Sequence, residues 1–233
     1  GTVYESNGTT AMTQGFVVAT NTTTSLVVTA PTDSSTGAYS LPVTDGTWSV
    51  SAKGPRHAKT ALGSNVTIAG ANSTGNNITL TADATRVPKS DSKTIEASAG
   101  GSLDDTENSG VKLTAGAGVL QSGSGNVTVE VEKSFNAPDT TNFTPLGDAS
   151  FDIAASGTST IKTLNGNADI EIDYTELVGD LPAGASESEL QLVYYSAERG
   201  EYVPVEGGFS VDTTNNKITA QTNHFTTFAV VGP

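Results

Sequence analysis

Hydrophobic and polar residues alternate along this chain with a period of two. In Asn126-Val-Thr-Val-Glu-Val-Glu132, the three valines fall on one side of an extended backbone while Thr128, Glu130 and Glu132 fall on the other. One face packs and the other meets water. Ala168-Asp-Ile-Glu-Ile-Asp-Tyr174 repeats the device, with Ile170, Ile172 and Tyr174 inward and Asp169, Glu171 and Asp173 outward. Gly, Asn, Asp and Ser punctuate the runs, and no window of comparable length carries a helical stripe. The pattern predicts an all-β protein of two tandem antiparallel β-sandwich domains, over residues 1–82 and 93–233, joined by a connection at 83–92.

In the first half the predicted strands are Thr2-Val-Tyr4, Gly15-Phe-Val-Val-Ala19, Ser25-Leu-Val-Val-Thr29, Tyr39-Ser-Leu41, Thr47-Trp-Ser-Val-Ser-Ala52, Val66-Thr-Ile68 and Ile78-Thr-Leu80. Asn7-Gly8 and Asp45-Gly46 supply tight turns, the latter reading as a hairpin, and Trp48 shares a face with Val50. Gly1-Thr-Val-Tyr4, Gly15-Phe-Val-Val, Thr32-Asp33 to Leu41 and Asp45-Gly-Thr-Trp-Ser-Val50 together resemble the carboxypeptidase regulatory-like domain, a transthyretin-like β-sandwich, over about residues 1–82. That resemblance implies a structural or spacer module with no active site. Its first strand is truncated relative to the family.

Around Pro88 the alternation lapses, and Arg86, Lys89 and Lys93 make a small basic group on a solvated linker or against an acidic partner. It resumes in Lys93-Thr-Ile-Glu-Ala97, Gly110-Val-Lys-Leu-Thr114, the 126–132 run, Ala149-Ser-Phe-Asp-Ile153, the 168–174 run, Leu190 to Tyr195, Tyr202 to Val205, Lys217 to Ala220 and Phe225 to Val231. A long loop with Pro138 and Pro145 interrupts the series. Leu192-Val-Tyr-Tyr195, Tyr202-Val-Pro-Val205, Leu181-Pro-Ala-Gly-Ala185 and the ending Asn223-His-Phe-Thr-Thr-Phe-Ala-Val230 resemble the Ig-like carboxy-terminal β-sandwich module of bacterial and archaeal surface proteins. This likeness implies location and architecture rather than a ligand.

Charge narrows the partners. With 25 acidic residues against 11 Lys plus Arg the chain carries −14, which disfavours nucleic acid and anionic membrane and favours solubility and cations. Asp104, Asp105, Glu107 and Asn108, read as one acidic loop, are the candidate ligands for Ca²⁺, and no other cofactor is expected; the rival reading is a solvated loop. Their spacing is not that of an EF-hand. Cysteine is absent, so disulfides and thiolate chemistry are excluded, and no apolar run is long enough to span a membrane. The chain opens at Gly1 with no signal peptide, as a processed product or excised fragment would.

Asparagine context points to a compartment. Seven of the 15 asparagines stand in Asn-x-Thr: Asn7, Asn21, Asn65, Asn72, Asn77, Asn126 and Asn142; 36 threonines in 233 residues would give about two by chance. The expectation is N-glycosylation at these seven positions and an extracellular or cell-surface location. Catalytic patterns are lacking. His57 and His224 have no zinc spacing, Gly123-Ser-Gly125 precedes a strand rather than a helix, and one Trp gives little sugar stacking, so the chain is not expected to be an enzyme. The expected function is mechanical: a subunit of a surface filament, sheath or surface layer that self-associates into a polymer, joined by strand exchange through the first strand or the Phe225–Val231 tail. The alternative is an adhesin or spacer module that binds glycan or protein.

Overall fold

A computed structural model describes residues 1–121, 125–157, 159–181, 184–196 and 198–232. Gly123, Ser124, Pro182 and Ala183, which belong to two of the motifs above, lie outside the described residues. The chain is all-β, in several antiparallel sheets, and divides into two compact units: Gly1–Val87 with Phe135–Thr144, and Pro88–Ser134 with Pro145–Pro233. Residues 135–144, which the alternation places in a loop of the second half, thus pack as part of unit 1.

Unit 1 contains β1 (Val3–Tyr4), β2 (Phe16–Asn21), β3 (Val27–Pro31), β4 (Gly46–Gly54), β5 (His57–Ala61), β6 (Val66–Ile68), β7 (Ile78–Thr79) and β8 (Thr81–Ala82). The main sheet runs β3-β2-β4-β5-β8, with β6 also on β4; β1 and β7 pair in parallel as a second, two-stranded sheet. Between them lie Val3, Met12, Val17, Ala19, Trp48, Val50, Ala52, Ile78 and Leu80, all buried. Trp48 and Val50 share the inward face as the alternation requires, and the indole N–H donates to the Thr44 carbonyl at 3.0 Å.

Two expectations change in this unit. Tyr39-Ser-Leu41 is not a strand, and Asp45-Gly46 closes no hairpin. The backbone there is spent elsewhere: Val3 N–H donates to the Gly37 carbonyl, Tyr39 N–H to that of Gly1, and the Tyr39 hydroxyl to the Asn76 carbonyl at 2.6 Å. Asp45 instead accepts from Gly70 N–H at 2.9 Å. A period of two specifies extended backbone but not which neighbour it bonds.

Unit 2 contains β9 (Lys89–Glu96), β10 (Gly101–Asp105), β11 (Val111–Ala115), β12 (Asn126–Ser134), β13 (Ser150–Ser156), β14 (Thr160–Ile161), β15 (Thr163–Asp173), β16 (Gln191–Ser196), β17 (Glu201–Pro204), β18 (Phe209–Asp212), β19 (Lys217–His224) and β20 (Thr227–Val231). One sheet runs β10-β11-β15-β19-β18; the other runs β17-β16-β20-β13-β12-β9 with β14 beside β13. Val127, Val129, Val131, Ile170, Ile172 and Tyr174 are all inward and fully buried. Burying one such side chain is worth about 1.5–3 kcal/mol, so the alternation itself commits each face. β9 begins at Lys89, inside the span read as a connection, because its register on β12 continues from Asn126↔Glu96 to Lys133↔Lys89. Nearly every β9 side chain is exposed, which hid the strand from a hydrophobic pattern.

Candidate functional site

The four residues of the acidic loop do not converge. Asp104 and Asp105 lie on β10, and successive residues of a strand face opposite ways. Asp104 meets Lys112 of β11 at 3.0 Å and accepts from Thr106 Oγ1 at 2.9 Å; these contacts, the lysine first, hold its carboxyl below the usual range. Asp105 accepts from Asn108 Nδ2 and Ser109 N–H, closing the turn. Among the described residues, no group of three or more His, Asp or Glu side chains is placed to hold a metal ion. Asp169, Glu171 and Asp173 each have a separate partner: Gln221 Nε2 at 2.9 Å, Lys217 Nζ at 2.6 Å and Thr175 N–H at 2.9 Å.

The sequon asparagines separate into two kinds. Asn7, Asn65, Asn72, Asn77, Asn126 and Asn142 are exposed, whereas Asn21 is buried at the end of β2. Its Oδ1 accepts from Thr23 and Thr24 N–H at 3.0 Å each, so the amide closes a turn against the sheet. Asn77 is exposed but ties down the first strand by accepting from Thr2 N–H. The histidines are local. His57 Nδ1 lies 2.8 Å from the Pro55 carbonyl, and His224, at the end of β19 rather than in the last strand, packs edge-to-face on Tyr194 at 4.6 Å.

Strand edges decide how the chain can be joined to another. The tail expected to offer an edge does not: β20 is interior, flanked by β16 and β13. The terminal strand β1 is held by β7, with Ile78 N–H and Leu80 N–H donating to the Thr2 and Tyr4 carbonyls. Among the described residues, β17 and β9 end the larger sheet of unit 2 and β10 and β18 the smaller, with short β14 bonded only to β13. On β9, Ser92 N–H is taken by its neighbour Asp91, and Lys89 and Lys93 project nearby, a usual guard for an edge. On β18, Phe209 is 37% exposed beside Gly207 and Gly208. It borders an open cleft of about 530 Å³ on the outer face of the five-stranded sheet, lined by Lys112, Thr114, Asp169, Glu171, Thr219 and Gln221.

Two clusters carry no sequence motif. On the outer face of the seven-stranded sheet Glu132 stands opposite Asp152, with Glu130 beside it. Burial pushes both Asp152 and Glu132 up; the charges of Asp152 and Glu130 add to the effect on Glu132, and the Thr227 hydroxyl hydrogen bond opposes it on Asp152. In unit 1 Asp139, from the 135–144 segment, takes Lys53 Nζ of β4 on Oδ1 at 2.6 Å and Lys59 Nζ of β5 on Oδ2 at 2.5 Å. Lys53 falls with Ser49 and Ser51 on the face opposite Trp48, so its alternation marks it as solvated. The 135–144 segment covers that face: Thr29 Oγ1 donates to the Asp139 carbonyl at 2.5 Å, and the Thr141 hydroxyl both accepts from Val27 N–H and donates to Val27 O.

Comparison with known proteins finds no family model that matches the chain and no curated protein significantly similar to it. What the geometry defines is a class by architecture: an all-β chain of antiparallel sheets, compatible with β-sandwich domains. Among the described residues no helix is long and apolar enough to cross a membrane.

Proposed function

We propose that the chain is a structural subunit of an extracellular or cell-surface filament, sheath or surface layer, built from a carboxypeptidase regulatory-like sandwich and a surface-protein sandwich and carrying N-glycans. The observation that carries this reading is the arrangement of unit 2, in which two wide antiparallel sheets end in outer strands while the last strand, β20, is interior. Subunits of this kind are joined by adding strand to strand at outer edges, since releasing β20 for exchange would break two ladders at once. Exposed sequons and a charge of −14 suit a hydrated outer surface.

Sedimentation and electron microscopy of glycosylated, concentrated protein test the proposal. Fibres or a lattice are expected, and a monomer at all concentrations would overturn it. A second reading, an adhesin or glycan-binding spacer, draws on one observation: the open cleft on the outer face of the five-stranded sheet, where Asp169, Glu171 and Gln221 offer polar side chains to a ligand. Glycan-array binding by a monomer, lost in Gln221→Ala, would favour it.

A further inference from the structure

The geometry points to a covalent cross-link inside unit 1: an amide between Lys53 Nζ and the side-chain carboxyl carbon of Asp139, formed by the chain itself with loss of one water. Lys53 Nζ touches Asp139 Oδ1 at 2.6 Å, and the two side chains are 0% and 5% exposed. The carboxyl carbon is one bond beyond that oxygen, and attack requires the nitrogen to stand roughly 3–3.5 Å from it. Hydrogen bonds on both sides position Asp139: the Thr29 hydroxyl donates to its carbonyl, Thr141 is bonded to Val27, and Asn136 Nδ2 donates to the Gln14 carbonyl.

The remaining oxygen, Oδ2, is bonded by the Lys59 ammonium at 2.5 Å. That is where negative charge develops when an amine adds to the carboxyl carbon, so Lys59 stands where an oxyanion needs a donor. The step balances without any further reactant. The Lys53 proton passes along the short contact to Oδ1, leaving a neutral amine and a carboxylic acid. The nitrogen lone pair forms the N–C bond and the C=O electrons move to Oδ2, beside Lys59. A proton from nitrogen then goes to Oδ1, the C–Oδ1 bond breaks, and that oxygen leaves as water while the C=O re-forms. Ammonium and carboxylate become amide plus water, and the Lys59 charge is unchanged. Burial of Lys53 favours the product, since it removes a charge pair from a dry site and keeps water from the amide. In a chain without cysteine, the bond would do the work of a disulfide, joining β4 to a segment 86 positions away.

Intact-mass measurement of the chain purified from a host that adds no N-glycans tests this directly, and peptide mapping places the bond. A mass one water below the sequence value is expected, with a branched proteolytic peptide joining Lys53 to Asp139; mapping separates it from water loss at Asp45-Gly46. Asp139→Ala should show its full sequence mass. Lys59→Met should retain the pair but cross-link incompletely. A wild-type mass equal to the sequence value, with the Lys53 amine open to acylation after unfolding, would overturn the proposal; full and rapid cross-linking in Lys59→Met would overturn the part given to Lys59.

Discussion

The β4 end of unit 1 and the β12 end of unit 2 each bury a lysine, and the two reach the interior by different routes. Lys133 continues the inward series Val127, Val129, Val131 and is 1% exposed, yet its ammonium extends to Glu176 Oε2 at 2.8 Å, a carboxylate 58% open to water. Lys53 belongs to a polar face and is sealed in by a segment from far along the chain, where its partner Asp139 is as dry as itself. The difference teaches that the solvation of the partner carboxylate sets what a buried cation is worth. A wet partner is screened by water, while a dry one is not.

The largest way to break this comparison is Asp139→Ala. It takes the Asp139 carboxyl away from buried Lys53, as ion pair or as amide, and should destabilise unit 1 by about 3–5 kcal/mol. A thermal melt should show the transition of unit 1 falling by about 10 °C or more. Glu176→Gln should cost far less, about 1 kcal/mol, because water screens much of the lost attraction. The usual consequence of its pairing is also directional. Lys133, then Lys89, holds the Glu176 carboxyl below its ordinary range, so the stability it contributes is present above the unfolded pKa and lost as pH falls through the folded one. Equal losses in the two variants would remove the distinction.

The acidic pair on unit 2 sharpens the same point from the opposite sign and with the smallest effect. Asp152 and Glu132 are pushed up, so the fold prefers them protonated; their contribution is complete below the unfolded pKa values and is lost as pH rises through the folded ones. Asp152→Asn should therefore raise the melting midpoint at neutral pH by a few degrees and leave it nearly unchanged in acid. Melts across a pH series check the sign, and a variant equally stabilised in acid would show that packing rather than charge is responsible.

Much of the fold could be read from the residues in order. Val127 to Val131 and Ile170 to Tyr174 announced their faces because a buried methyl-bearing side chain at every second position has no other economical arrangement. β9 is partly hidden because an outer strand of polar residues carries no hydrophobic period, and β10 because Leu103 is its single large hydrophobic residue and two consecutive acids follow it. Asp104 to Asn108 looked like one loop for the same reason. A local pattern reports how a backbone runs, not what it runs beside.

The sequence by itself determined the β class, the inward and outward faces of the long strands, the acidic surface and the exclusion of thiol chemistry, since each depends on residue identity and near neighbours alone. Only the tertiary structure decided that β20 is interior, that Asn21 is buried, and that residues 135–144 return to unit 1 to set Asp139 between Lys53 and Lys59. These depend on which distant backbone groups satisfy one another's hydrogen bonds, a choice that no short-range period encodes.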